Sequence, residues 1–189
     1  MAHPLKEQPA LVEIKPLSAV SPAAVEALLD AAFGPDRFGR TAYRLRAGTL
    51  ALPALSFAAF DDDRLVGTLQ SWPVALAEPD GARTPLVMVG PVAVEPDVQR
   101  GGIGRAMMDA LVDAADAGAD AALMMIGDPE YYGRFWGFDA DATSGWALPG
   151  PFERRRLLAR AANGHVPPAT PGDVVPDPAR NPVANDRAA

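Results

Sequence analysis

Three glycines and two arginines lie within seven residues in the run QRGGIGR, which begins at Gln99. The run follows an apolar stretch typical of a strand and leads directly into a helical pattern. The start of a helix leaves its first four backbone N–H groups without partners, and the helix dipole adds partial positive charge there. Glycine lets a bulky anion approach such N–H groups, and arginine adds charge-assisted hydrogen bonds to phosphate. The residues of this predicted pyrophosphate-binding turn are Arg100, Gly101, Gly102, Gly104 and Arg105.

The spacing within this run separates it from other glycine-rich turns. A turn that binds no ligand is the alternative for a single Gly-x-Gly pair, but the third glycine, the two arginines and the preceding strand favour anion binding. A dinucleotide-binding fingerprint would need another glycine where Met107 stands. A Walker-type loop would need a Gly-Lys-Ser/Thr sequence, which does not follow.

The elements that must hold this turn follow from apolar periodicity and from helix start and stop signals. Helices are predicted from Ser21 as N-cap to Gly34, within residues 33–46, over residues 103–117, and from Asp128 to residue 135. Strands are predicted over residues 11–16, 54–60, 65–72, 86–94, 121–126, 138–146 and 152–158. The glycine-rich turn therefore lies at the carboxyl end of one strand of a strand–helix–strand unit, where open α/β sheets bind ligands.

The run QRGGIG, after a strand that ends in VAV, resembles the acyl-CoA-binding signature of the GNAT superfamily of N-acyltransferases. That signature reads Gln/Arg-x-x-Gly-x-Gly/Ala after a strand. This chain matches it at Gln99, Gly102 and Gly104. The resemblance covers about residues 10–160.

A second segment carries the same resemblance. The sequence GDPEYYGRFWGF, residues 127–138, is similar to the family's last helix, whose pattern is Tyr-x-x-x-Gly-Phe. Tyr132 lies five residues before Gly137 rather than four, so one extra residue must be accommodated. In the family a tyrosine of this helix is the usual general acid that protonates the departing thiolate. The resemblance implies this role for Tyr132, with Tyr131 as the alternative; a core aromatic residue is the other interpretation of each.

The resemblance implies a fold of the mixed α/β (α+β) class, with a partly splayed central sheet of about six to seven strands and about four helices on both faces. It implies that Gly90 and Pro91 form a bulge that splays their strand and admits the pantetheine arm of CoA. Proline has no N–H for a sheet ladder, so a strand that begins only at Val92 is the alternative. Residues 1–160 would form a single acyltransferase domain, and the Pro-rich tail over residues 161–189 is expected to be disordered or to lie loosely on the surface.

Acetyl-CoA is the cosubstrate that the resemblance implies, and no metal ion is expected. A backbone N–H group of the strand, by position that of Val94, would polarise the thioester carbonyl. The residues expected to bind acetyl-CoA are Val92, Ala93, Val94, Gln99, Arg100, Gly101, Gly102, Ile103, Gly104 and Arg105.

The sequence leaves the general base open. The two histidines, His3 and His165, lie outside the predicted core, so a histidine base is not expected. Asp128, Glu130 and Glu95 remain, or a water chain acting for them. Asp128 also has a structural interpretation, because aspartate before proline at a helix start is a common N-cap.

The composition restricts the partners of the protein. The chain has 189 residues, no cysteine and a formal net charge of −7. The lack of cysteine excludes disulfides, a thiolate nucleophile and a cysteine-ligated metal, and it favours a cytoplasmic protein. The charge argues against a nucleic-acid partner and mildly favours cationic or neutral small substrates, although solubility explains it equally well. No apolar run is long enough to span a membrane, and the oligomeric state is left open, a dimer included.

We therefore expect an N-acyltransferase, with acetyl as the expected group, that acts directly on an amine. The acceptor would be a small molecule or an exposed amino group. Two alternatives are a non-catalytic module of the same fold that senses acyl-CoA, and a phosphate-binding α/β domain for another nucleotide. Residues 33–46, Trp72 and residues 146–152 would wall the acceptor pocket, although residues 33–46 could equally form a solvated amphipathic helix.

Overall fold

The computed structural model describes residues 12–98 and 102–183 of the chain. Within these residues, eight strands form one sheet. The strands are Glu13–Pro16 (β1), Phe57–Asp61 (β2), Arg64–Ala77 (β3), Arg83–Val94 (β4), Ala122–Ile126 (β5), Trp146–Ala147 (β6), Leu157–Arg160 (β7) and Gly172–Pro176 (β8). The α-helices are Pro22–Phe33 (α1), Thr41–Leu45 (α2), Ile103–Gly118 (α3) and Pro129–Trp136 (α4). None of the helices in the described ranges has the length and apolar character needed to cross a membrane.

The sheet is mixed and mostly antiparallel. Its order is β1-β2-β3-β4-β5-β7, and β8 pairs with both β3 and β6. Two pairs are parallel, β4 with β5 and β6 with β8. Because α3 connects β4 to β5, the start of α3 lies beyond the carboxyl end of β4. The predicted α/β class and the strand–helix–strand unit are confirmed.

The helices cover both faces of the sheet because side chains alternate along the central strands. On one face, Val87 of β4 and Leu123 of β5 pack in the core cluster that contains α3 and α4. On the other face, Leu86 and Met124 pack with α2, while α1 covers Ala93. The continuously apolar β5 is thus buried on both sides, as is typical of a parallel strand between helices.

α1 begins and ends at the predicted signals. The Ser21 hydroxyl accepts a hydrogen bond from the Ala24 N–H at 3.3 Å, and Gly34 ends the helix with a φ of 79°. The chain then forms a 3₁₀ turn, Pro35–Gly39, before α2 begins. Residues 33–46 are therefore not one solvated amphipathic helix but a bent segment folded against the sheet.

The prediction of a disordered tail over residues 161–189 is wrong for the part that the structure describes. β8 lies in this segment and pairs with residues 74–77 of β3. β2 pairs only with the first half of the long β3, so the second half has a free edge that β8 occupies. Val174 is buried there, and the Trp146 indole N–H donates a hydrogen bond to the Pro168 carbonyl oxygen at 3.2 Å. The sheet consequently has eight strands rather than six to seven.

The two closing strands are shorter than predicted. Most of residues 138–146 forms irregular structure and a 3₁₀ turn, Asp141–Thr143, before β6 begins. The Asp139 carboxylate starts this turn, because it accepts a hydrogen bond from the Asp141 N–H at 2.9 Å. The predicted strand over residues 152–158 likewise begins only at Leu157.

β4 runs through Gly90 and Pro91, whose peptide bond is cis, without ending there. Between Leu69 and Ser71 the register of β3 against β4 shifts, so that Gln70 alone stands opposite both residues. Two residues opposite one are the definition of a β-bulge. The predicted bulge is therefore present, and a strand that begins only after the proline is excluded.

β4 and β5 separate at the bulge. Their parallel pairing is confined to residues 86–88 and 122–124. β4 continues to Val94 and β5 to Ile126 without further pairing between them. The predicted splay of the central sheet is present, and it leaves an opening between the carboxyl ends of these two strands.

Candidate active site

The opening between β4 and β5 forms the floor of a cleft of about 1000 Å³. Four segments contribute to its walls: residues 33–46, the bulge region 88–92, residues 125–132 at the start of α4, and residues 151–156. Residues 33–46 thus lie where an acceptor wall was predicted. Trp72 does not line the cleft; its indole N–H donates a hydrogen bond to the Gly90 carbonyl oxygen at 2.9 Å and so supports the bulge from behind.

The first turn of α3 presents backbone N–H groups that no side chain of the described residues caps. Gly102 is the N-cap, in the left-handed region with a φ of 116°, and it has no side chain with which to accept a hydrogen bond. Its carbonyl oxygen already accepts a hydrogen bond from the Ala106 N–H at 2.8 Å. The N–H groups of the following turn are therefore available to an anion. Gln99, Arg100 and Gly101 lie outside the described residues.

The three residues that follow Gly102 differ in which of their atoms could contact a ligand. A Cβ on Gly104 would lie 3.8 Å from the Val94 side chain and 3.9 Å from that of Val92, which are ordinary contacts and show that the helix start lies close to the end of β4. The Ile103 side chain is buried in the core, which leaves only its backbone for binding. The Arg105 guanidinium lies 4.4 Å from the Phe135 ring centroid and contacts Asp109 one turn later, so its charge points towards α4.

The backbone N–H groups of Val92 and Val94 face the opening. The Glu95 N–H donates to the Val66 carbonyl oxygen at 2.9 Å, and hydrogen-bonded pairs alternate along an antiparallel ladder. Ala93 is therefore the next residue hydrogen-bonded to β3, and its neighbours on either side turn their N–H groups away from β3, towards β5. Because β5 does not pair there, these N–H groups have no strand partner in the described chain. Ala93, which was predicted to bind acetyl-CoA, contributes no donor to the opening.

Tyr132 lines the cleft beside the carboxyl end of β5. Its ring packs so closely on Gly127 that a Cβ there would lie 2.6 Å from it. Burial raises the pKa of the Tyr132 hydroxyl, with a further contribution from Tyr131 and an opposing one from Arg156. The hydroxyl therefore stays protonated at neutral pH and can donate a proton. Tyr131 also lines the cleft but is 40% exposed, with its ring 5.1 Å from that of Tyr132.

The extra residue of the last helix is accommodated without distortion. α4 is a regular helix that ends at Gly137, with a φ of 72°. Trp136 is buried in the core, and its indole N–H donates a hydrogen bond to the Asp109 carboxylate at 2.8 Å. The additional side chain thus ties α4 to α3 and leaves Tyr132 beside the cleft.

The comparisons with known proteins agree with this geometry. A family model for the acetyltransferase (GNAT) domain matches residues 13–139. The chain belongs to the GNAT acetyltransferases. The Escherichia coli GNAT family N-acetyltransferase YhbS, solved in complex with CoA, is 24% identical with a TM-score of 0.63, over 93% of this chain and 94% of that one. A GNAT family acetyltransferase from Brucella melitensis, solved in complex with acetyl-CoA, is 26% identical with a TM-score of 0.59, over 90% and 98%. No curated protein matches the chain.

In this GNAT protein, Asp128 is the N-cap of α4. Its Oδ1 accepts hydrogen bonds from the N–H groups of Glu130 at 2.9 Å and Tyr131 at 3.3 Å. The Glu130 side chain and these backbone donors hold the pKa of Asp128 below its usual value. Asp128 lines the cleft, whereas Glu130 pairs with Arg155 at 2.9 Å and Glu95 contributes nothing to the lining within the described ranges. The predicted N-cap is thus present, and Asp128 is also the carboxylate best placed of the three that the sequence left open.

The GNAT cleft has an arginine-rich wall that the sequence interpretation left undecided. The hydroxyl of Thr41 donates to the Pro151 carbonyl oxygen at 2.7 Å, which holds α2 over the cleft. A Cβ on Gly150 would lie 2.7 Å from this hydroxyl, so the glycine permits the close approach. The alternation of aromatic residues and arginines over residues 33–46 is the signal that could have identified this wall. The arginines that line it are Arg37, Arg40, Arg46 and, from the opposite side, Arg156.

Proposed function

We propose that the protein is an N-acetyltransferase that moves an acetyl group from acetyl-CoA directly to an amine. The observation that carries the proposal is the opening between β4 and β5, towards which the N–H groups of Val92 and Val94 point. This opening adjoins the uncapped first turn of α3. Family membership and the acetyl-CoA bound to the Brucella melitensis relative support the same proposal.

The residues present fit an acyl-CoA. The N–H groups at the start of α3 suit a diphosphate, because a helix N-terminus without a side-chain cap combines free donors with partial positive charge. We assign this role to Gly102, Ile103, Gly104 and Arg105, and from the sequence to Gln99, Arg100 and Gly101. The N–H groups of Val92 and Val94 suit an extended chain with amide groups, which would take the place of the missing β5 ladder. We call residues 92–94 and 102–105 the donor side of the cleft.

Three groups of the chain would each have a separate role in acetyl transfer. Bound acetyl-CoA supplies an acetyl group activated as a thioester. The Val94 N–H is fixed by the sheet and can stabilise negative charge that develops on a carbonyl oxygen, as an oxyanion hole does. Tyr132 holds a proton for the departing sulfur, and Asp128, directly or through water, would accept the proton of the amine. The chain has no cysteine, so an acyl-cysteine intermediate is excluded.

The experiment that tests the proposal incubates the protein with acetyl-CoA and a panel of amines and measures the release of free thiol. We expect release with at least one amine, and slower release by Tyr132→Phe at unchanged CoA affinity. Binding of CoA without thiol release at any pH would instead identify an acyl-CoA sensor. Thermal stabilisation by ATP or NAD but not by CoA would contradict both readings and favour another nucleotide.

A further inference from the structure

Two arginines of the cleft wall have opposite electrostatic surroundings. Arg37 is 1% exposed and donates hydrogen bonds to Asp30, at 2.8 Å, to Glu26 and to the Tyr43 hydroxyl. Although burial alone would lower the pKa of Arg37, these partners hold it above its usual value. The charge of Arg37 is therefore balanced within the protein, and this side chain fastens the 3₁₀ turn to α1.

Arg46 has no carboxylate paired with it within the described residues. Its guanidinium lies 3.9 Å from the Trp72 ring centroid and 4.3 Å from that of Tyr43. Its Nη1 is buried without a hydrogen-bond partner, and none of the ion pairs in the described part of the chain involves Arg46. Burial lowers the pKa of Arg46; Tyr43 and Glu26 oppose this effect without cancelling it, and the positive charge of Arg37 adds to it. An anion that bound the free edge of the guanidinium would offset this cost.

The position of Arg46 relates this unpartnered cation to the proposed transfer site. Arg46 stacks on Trp72, and the Trp72 indole N–H donates to the Gly90 carbonyl oxygen at the bulge where β4 and β5 separate. One indole ring thus separates the guanidinium from the edge of the opening. A guanidinium whose faces rest on aromatic rings presents a planar fork of N–H groups, which matches the two oxygens of a carboxylate.

The other charges of the cleft favour the same ligand. Four arginines and two carboxylates, Asp128 and Glu153, line it within the described residues. The lining itself carries more arginines than carboxylates, although Arg37 pairs with two carboxylates outside it, Glu26 and Asp30. This excess of arginines in the lining contrasts with the formal net charge of −7 of the whole protein. The arginines that face the cleft without a carboxylate partner suit an anionic group, whereas the total charge mildly favoured cationic or neutral substrates.

We propose that Arg46 binds a carboxylate of the acceptor, so that the substrates are small amines that also carry a carboxylate. This inference rests on the proposed acetyl transfer, because it assigns the acceptor of the same site. Arg40 and Arg156 supplement the cationic field, whereas Arg37 contributes structure only.

The test compares amines that differ only in this group. Glycine, β-alanine and 4-aminobutyrate are each paired with the corresponding amide, and kcat/KM is measured by thiol release. We expect each acid that reacts to be preferred over its amide. Arg46→Gln should lower kcat/KM for the acids by about 10- to 100-fold, mainly through KM, and leave the amides nearly unchanged. Arg46→Lys, which keeps the charge but not the fork, should recover part of the loss.

The matched control is Arg64→Gln, which removes the same charge from an exposed position outside the cleft lining. It should leave the ratio of acid to amide unchanged. The ratio of kcat/KM for each acid to that for its amide is also measured on the unmodified protein. The preference for a carboxylate can therefore be tested even if Arg46→Gln does not fold. Amines acetylated equally well as acids and as amides would overturn the carboxylate inference and leave acetyl transfer intact.

A second measurement separates this inference from the proposed function. The melting temperature is recorded in saturating CoA with N-acetyl-β-alanine or with its amide. We expect stabilisation by the acid alone, and its loss in Arg46→Gln. If no amine releases thiol but this pattern is found, acetyl transfer is wrong and the carboxylate site stands. If the acid stabilises Arg46→Gln as well as the unmodified protein, or stabilises neither, the site at Arg46 is wrong.

Discussion

The two sides of the cleft use different parts of the chain. The proposed donor side presents backbone N–H groups, at Val92 and Val94 and in the first turn of α3, whose positions are fixed by a sheet ladder and a helix. The opposite wall, residues 33–46, relies on side chains such as Arg37 and Arg46, whose positions depend on contacts between distant segments. Backbone donors suit a cosubstrate shared by a family, whereas side chains can change with the acceptor.

Removal of one backbone donor should have the largest effect. Val94→Pro deletes an N–H that β3 does not use, so the rate of acetyl transfer should fall about 100- to 1000-fold, as for the loss of an oxyanion-hole donor. Val94→Ala keeps the N–H and is the control for the altered side chain. Thiol release with the best amine measures the rate, and the melting temperature shows whether the strand is intact. A proline variant as active as the alanine variant would remove Val94 from the donor side.

Tyr132→Phe should follow, with a decrease in kcat of about 100-fold at unchanged CoA affinity. Tyr131→Phe, at the exposed neighbouring position, is the matched control and should change kcat little. Equal losses in both variants, or a larger loss in Tyr131→Phe, would transfer the acid role away from Tyr132.

The pH profile of the same two proteins gives an independent readout. A general acid must be protonated, so the rate should fall as the pH rises through the pKa of Tyr132. Because burial raises that pKa from its ordinary value of 10.0, the fall should occur above pH 10 and should be absent from Tyr132→Phe. The contribution of this group to folding stability is likewise complete below pH 10 and is lost above it.

The arginine wall should respond to substitution in two ways. Arg37→Gln leaves Glu26 and Asp30 without their partner and should lower the free energy of unfolding by about 2–3 kcal/mol. Arg46→Gln removes a cation that pairs with no carboxylate in the described residues and loses only its stacking on Trp72 and Tyr43, so it should lower the free energy of unfolding by less than Arg37→Gln does. Chemical denaturation of both variants measures the difference. Equal destabilisation would mean that Arg46 is balanced within the protein after all, contrary to its assignment as a ligand-binding residue.

The smallest effects are expected from alanine substitutions at two glycines of the donor side, Gly102 and Gly104. Gly102 adopts a φ of 116°, so Gly102→Ala should cost about 1–3 kcal/mol of folding stability. Gly104 lies within α3, and a Cβ there makes ordinary contacts, so Gly104→Ala should be neutral or stabilising by up to about 1 kcal/mol. Thermal denaturation checks both. A stable Gly102→Ala variant would show that the left-handed start of α3 is not required.

The contrast between the two sides of the cleft also explains which features could be predicted from the sequence. The strand, bulge, glycine-rich turn and helix of the donor side are encoded within residues 86–118, where Gly90, Pro91 and Gly102 give local signals. The N-cap Asp128 was predicted for the same reason, whereas the choice of Tyr132 came from the resemblance of residues 127–138 to the last helix of the family. Ala93 was assigned to binding without regard to which residues of a strand donate to its neighbour.

The unpredicted features depend on contacts between segments far apart in the chain. β8 joins the sheet because the second half of β3 has a free edge, and no signal within the Pro-rich segment indicates that edge. The separate environments of Arg37 and Arg46 follow from Glu26, Asp30 and Trp72, which belong to other elements. A pattern of arginines and aromatic residues predicts a wall but does not distinguish which arginine is free to bind.

The most direct test of the donor side is backbone amide hydrogen exchange, resolved residue by residue, with and without CoA. We predict that CoA slows the exchange of Val92, Val94 and the first turn of α3, while Ala93, already bonded to β3, changes little. Unchanged exchange at these positions in saturating CoA, or protection confined to another part of the molecule, would contradict the account.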